Sequence, residues 1–193
     1  MNDIALSWDL FIIVFFVVVV SYSFIVGISR NLKILISSYV SILVADGFAE
    51  ILKKYFFSEQ PLIPIFRVAD GENSFVIFKI SVFVIFMVLF VIRANFSIKL
   101  SFKPKGFLSW FACAVFGFLN AGIITATILR YVSGSAFISN AGQSVNSAIF
   151  SIYNQSSLVK LMIDNYNIWF TLPAVVFITM SLFTSEANFD QGD

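Results

Sequence analysis

Four long apolar runs constrain this chain more than any other feature: Leu10–Val26, Leu32–Leu52, Phe75–Ile92 and Phe107–Leu129. Crossing the hydrocarbon core of a bilayer takes about 20 residues of helix. In lipid, every backbone N–H and C=O must be bonded within the segment. The β-branched residues of the first run therefore do not oppose a helix there. No alternating pattern of the kind that builds a membrane barrel is present. A fifth run, Ile168–Phe183, is shorter and contains Pro173. Its length fits spanning, lying at the interface or re-entering. The expectation is an all-α, polytopic transmembrane helical bundle with four spans and a fifth C-terminal membrane segment of open geometry.

Composition agrees. Of 193 residues, 59% are hydrophobic and 12% are charged, whereas soluble domains carry about 25% charged residues. That is too little polar surface to face water on all sides. A net charge of +1 without a clustered basic face argues against a nucleic-acid partner. One cysteine, Cys113, and no histidine exclude a disulfide within the chain, a His/Cys zinc site and a Ser-His-Asp triad. Cys113 lies in an apolar run and reads as a small packing residue. The N-terminus carries Asp3 and Asp9 instead of a basic n-region, and its apolar run exceeds the roughly 7–15 residues of a signal core. It reads as a retained membrane helix.

Between the first two runs stands Gly27, followed by "ISRNLK". A glycine permits the non-helical backbone that ends a helix, and six residues make a tight connection between antiparallel neighbours. Arg30 and Lys33 mark this connection, and Arg93, Lys99, Lys103 and Lys105 mark the one between the third and fourth runs. By the positive-inside rule both connections face the cytoplasm and the N-terminus lies outside. Lys53, Lys54, Arg67, Arg130 and Lys160 fall on the other side and narrow the margin. The loop with Pro61, Pro64 and the acidic tip Asp70-Gly71-Glu72 suits a surface-resting segment. After the fourth run, Ile138, Ala141, Val145, Ile149, Ile152 and Tyr153 recur at helical spacing among Ser, Asn and Gln. They predict an amphipathic helix on the outer face or against the bundle. The chain thus divides into a four-helix membrane domain (1–130), an extracytoplasmic amphipathic segment (131–167) and a C-terminal membrane segment with a short tail (168–193).

Two runs carry small residues at every fourth position: Ser37, Ser41, Ala45 and Ala49 in the second, and Cys113, Gly117, Ala121 and Thr125 in the fourth, with Gly122 alongside. Small side chains let membrane helices approach closely. The stripes read as packing surfaces within the bundle or, more sharply, as a subunit seam or pore lining. Asn120 is the central polar group of the fourth run and is able to bond across helices. Asp46 and Lys79 lie at matching depths, about 9 Å and 6 Å from the outer ends of their runs, which suggests an intramembrane ion pair. Such groups are functional candidates, although both are close enough to the surface to snorkel. No nucleotide-binding loop, metal-ligand cluster or nucleophile–base pair occurs, so neither a cofactor nor an enzymatic activity is expected.

One arrangement resembles a known family. Asp9 precedes an apolar helix, Gly27 and Arg30 follow it, and "NLKILISSYVSILVA" begins a second helix. Later, "FGFLNAGIITATIL" begins at Phe116. The order resembles the colicin V production protein (CvpA-like) family over roughly Asp9 to Leu129. Val26 and Asn31 depart from the Arg and Glu often found at those places. A basic residue common before the second glycine of the last helix is missing near Asn120. The resemblance implies a multi-pass protein of the bacterial inner membrane linked to toxin production, secretion and envelope integrity, with Gly27 and Arg30 as the hairpin residues to test. It implies no reaction. The partners expected are the lipid bilayer, other membrane or envelope proteins and further copies of the chain. The rival class is a small ion channel or transporter subunit.

Overall fold

The computed structural model describes residues 8–55, 72–93, 107–133 and 152–186. Among the described residues the longer helices run in order α1 (Trp8–Val26), α2 (Ile28–Tyr55), α3 (Glu72–Arg93), α4 (Phe107–Val132), α5 (Ser157–Asp164) and α6 (Tyr166–Glu186), with a further helical turn at 152–155 ahead of α5. Four of them contain stretches long and apolar enough to cross a membrane: Trp8–Val26, Ile28–Leu52, Phe75–Arg93 and Ser109–Val132. The protein is an all-α helical membrane bundle. Positions 56–71, the three lysines at 99, 103 and 105, and the expected amphipathic positions 138–149 lie outside the described residues.

The bundle is organised around α4. Of its apolar stretch 67% is buried, against 11% for α1 and 17% for α3. The last two therefore present most of their surface to lipid. Helix α1 lies chiefly along α4, α2 along α3 and α4, and α6 along α4. Tyr131, Phe83, Phe116, Leu32, Leu35, Ile42 and Ile123 form the fully enclosed core among them. Phe83 meets the Tyr131 ring edge-on at 6.2 Å, a favoured arrangement of two ring quadrupoles.

The connection between α1 and α2 is tighter than the sequence suggested. It is a single residue. Gly27 adopts φ +78°, and "ISRNLK" is already the first turns of α2. The Gly27 N–H still bonds the Ser23 carbonyl at 3.0 Å, while its own carbonyl accepts from Asn31 N–H at 3.1 Å. One left-handed residue thus closes one helix and opens the next, and only glycine takes that conformation without steric cost. No six-residue loop is needed.

Helices α5 and α6 meet at a 65° bend. The Arg130 guanidinium stacks 3.5 Å from the Tyr166 ring, which places the start of α6 beside the end of α4. From there α6 descends: Trp169 packs against Phe16 and Phe118, and Phe170 against Tyr39. Its 21 residues rise about 30 Å, the thickness of a hydrocarbon core. Pro173 lies inside α6 and removes an N–H from the helical ladder. In the turn before it, the Phe170 carbonyl accepts from the Tyr39 hydroxyl of α2.

Candidate functional site

Polar groups are buried at two levels of the bundle. Near the hairpin, α1, α2 and α4 converge on Asn31. The Ser23 hydroxyl donates to Asn31 Oδ1 at 2.6 Å, and Asn31 Nδ2 donates back to the Ser23 carbonyl at 3.0 Å. Asn120 Nδ2 donates to the Asn31 carbonyl at 3.1 Å. These three side chains are almost wholly enclosed. Within a membrane such bonds fix helix register, because any alternative leaves a polar group in hydrocarbon. Among the described residues, Asn120 Oδ1, Ser37 Oγ and Thr125 Oγ1 are buried with no hydrogen-bond partner.

At the opposite end, where α2 and α4 finish, lies a charged cluster. Lys79 Nζ of α3 is 2.6 Å from Asp46 Oδ1 of α2, and both side chains are buried. Its ammonium also sits 4.3 Å from the centroid of the Tyr131 ring, a favourable cation–π distance. The Tyr131 hydroxyl is 3.4 Å from the Ile42 carbonyl and interacts with the Asp46 carboxylate. Glu50, four residues beyond Asp46 on α2, is exposed.

The small-residue stripes are occupied from within. A Cβ at Gly117 would lie 2.5 Å from Ser23 Oγ and 3.1 Å from Val20 Cα, so α1 fills that notch. A Cβ at Gly122 would collide with the Trp169 ring of α6. Ala45 and Ala121 are fully enclosed, and Cys113 is buried. Ser41 bonds its own helix at the Ser37 carbonyl, 2.7 Å away. Arg30 is exposed beside Gly27 and takes no part in the Asn31 network.

A third arrangement ties α5 to α1. Ser156 caps α5, accepting from Val159 N–H at 3.1 Å. Asp9 Oδ1 in turn accepts from the Ser156 hydroxyl at 2.5 Å and from Leu158 N–H at 2.9 Å. A carboxylate at a helix N-terminus is well placed against the macrodipole. At the other end of α5 the Tyr153 hydroxyl donates to Asp164 Oδ1 at 2.8 Å, a bond that holds the phenol proton on and raises its pKa above the ordinary value.

Sequence reasoning singled out Asp46, Lys79, Gly117, Asn120 and Gly122, and the structure places each in a buried helix contact. It did not find Asn31, Ser23, Tyr131 or the Asp9–Ser156 cap. Asn31 had a signal, since it directly follows Arg30, but the expected loop masked it. Among the described residues no group of three or more His, Cys, Asp or Glu could hold a metal ion. No protein-family model matches the chain, and neither does any curated protein or solved structure.

Proposed function

We propose that the chain is a non-enzymatic, multi-pass protein of the bacterial inner membrane, of the colicin V production type. It would support toxin production, secretion or envelope maintenance through contacts with other membrane or envelope proteins. The observation that carries this reading is the filling of α4: Ser23 occupies the Gly117 notch and Trp169 the Gly122 notch. The helix best suited by its small residues to line a passage is spent on holding its own bundle together. Arg30, Lys33 and Arg93 share the hairpin end, which favours a cytoplasmic hairpin and an extracytoplasmic N-terminus.

A second reading, an ion channel or transporter subunit, is favoured by one observation: the buried Asp46–Lys79 pair joined to Tyr131. Charges inside membrane spans commonly mark ion or proton pathways. Purification in mild detergent with mass determination, followed by ion flux in liposomes, separates the two. A discrete complex with envelope or secretion proteins and no flux supports the contact role. A flux abolished by Asp46→Asn overturns it in favour of the channel.

A further inference from the structure

Arg30 and Glu50 stand twenty residues apart on α2 and both are exposed. That separation is about 30 Å along the helix axis, the thickness of a hydrocarbon core. The two residues therefore reach the two headgroup levels together. From its Lys79 contact with Asp46, α3 continues for about 21 Å towards the hairpin end and finishes at Arg93, also exposed.

The two arginines lie on one edge. Phe48 of α2 packs against Phe86 of α3 with ring centroids 5.8 Å apart, which marks an edge of the seam between these helices. Arg30 precedes Phe48 by eighteen residues, five whole turns, and Arg93 follows Phe86 by seven, close to two turns. Lys33, half-buried and within one turn of Arg30, adds a third positive charge. Among the described side chains, the carboxylates of Asp9, Asp46, Glu50 and Asp164 all stand at the opposite end. Helix α6, whose last residue is Glu186, lies along α4 rather than along this seam. Next to Arg93 the outward side of α3 is apolar and open, with Ile85, Val88, Leu89 and Ile92 exposed.

A guanidinium is a rigid fork of N–H donors that matches a phosphate, and two of them can bracket one. Basic residues at a membrane surface also attract anionic lipid. Every glycerophospholipid carries the phosphate, but a choline headgroup adds a cation that the three positive charges oppose. The edge thus favours a headgroup of net negative charge.

We propose that the hairpin-end edge of the α2–α3 seam binds an anionic phospholipid. Arg30 and Arg93 hold its phosphate, Lys33 adds to the attraction, and its acyl chains lie along Val88, Leu89 and Ile92. The lipid ties α2 to α3 at the end opposite the Asp46–Lys79 pair. This stands on the hairpin end alone, independent of the envelope role and of which way the hairpin faces.

The test is native mass spectrometry of the full chain, released from detergent micelles holding equal amounts of phosphatidylglycerol and phosphatidylcholine with identical acyl chains. The native chain should retain phosphatidylglycerol about tenfold over phosphatidylcholine. Combining Arg30→Gln with Arg93→Gln should bring the ratio close to one, and each single change should fall between. Lys160→Gln removes an exposed cation at the far end and should leave the ratio unchanged. Equal retention of the two lipids by the native chain overturns the proposal. So does a preference that survives both arginine changes, or one that Lys160→Gln lowers as much as they do. A second readout needs no variant. Phosphatidylglycerol with a photoreactive acyl chain should label α3 between Ile85 and Ile92, and unlabelled phosphatidylglycerol should displace it several-fold better than phosphatidylcholine. Label spread evenly over α1 and α3 overturns the site, whether or not the arginine variants fold.

Discussion

Around Gly27 the buried polar atoms are neutral, and they are shared by three helices. Ser23 and Asn31 exchange two hydrogen bonds, and Asn120 adds a third from α4. Around Asp46 they are charged, and the ion pair joins two helices, α2 and α3. The neutral cluster sits beside a one-residue turn that has no slack. The charged cluster sits near the ends of α2 and α4, with Glu50 exposed one turn beyond Asp46. The contrast separates two uses of polarity in a membrane: amides and hydroxyls tie three helices beside a turn, and a charge pair ties two helices near their far ends.

The largest expected effect comes from breaking the charged side. Lys79→Met leaves Asp46 enclosed without its cation and should cost about 3–5 kcal/mol in a reversible unfolding titration in mixed micelles. Adding Asp46→Leu to the same chain should recover most of that loss, since a well-packed apolar pair replaces the ionic one. A double variant as unstable as the single one would show that the cluster's shape matters more than its charge. On the neutral side, Asn31→Leu removes the side chain that exchanges bonds with Ser23, leaves the backbone carbonyl that accepts from Asn120, and should cost about 2 kcal/mol in the same titration. A loss equal to that of Lys79→Met would erase the distinction between the clusters.

Gly27→Ala isolates the turn from the network. A Cβ there meets nothing within 4 Å, so its cost is purely conformational, about 1 kcal/mol. A much larger loss would mean that Gly27 has a packing role as well. The smallest effect is expected at Tyr153, whose hydroxyl bonds Asp164 at the exposed side of α5. Tyr153→Phe should change stability by less than about 0.5 kcal/mol, which makes it a baseline for the other variants.

Much of the architecture was legible because lipid leaves helices few alternatives. The four spans follow from run length, and the Asp46–Lys79 contact from two ionisable groups at similar depth in apolar surroundings. The hairpin was misjudged in length. "ISRNLK" has the polarity of a loop, yet a glycine at positive φ reverses the chain alone, and Asn31 then turns inward as a helix residue. Trp169 against Gly122 was not legible at all. Spacing shows that a glycine leaves a notch, but nothing in its neighbourhood names the side chain that fills it from far along the chain. The Asp9–Ser156 cap is hidden for the same reason.

That distant filling has a consequence for biosynthesis. A ribosome adds about 5–20 residues per second, so α4 leaves it seconds before Trp169 does. During that interval the Gly122 notch is an open, close-contact surface of the sort other membrane helices dock against. Arrival of α6 converts it from an adhesive face to a sealed one. A chain cut before Tyr166 would keep it adhesive permanently.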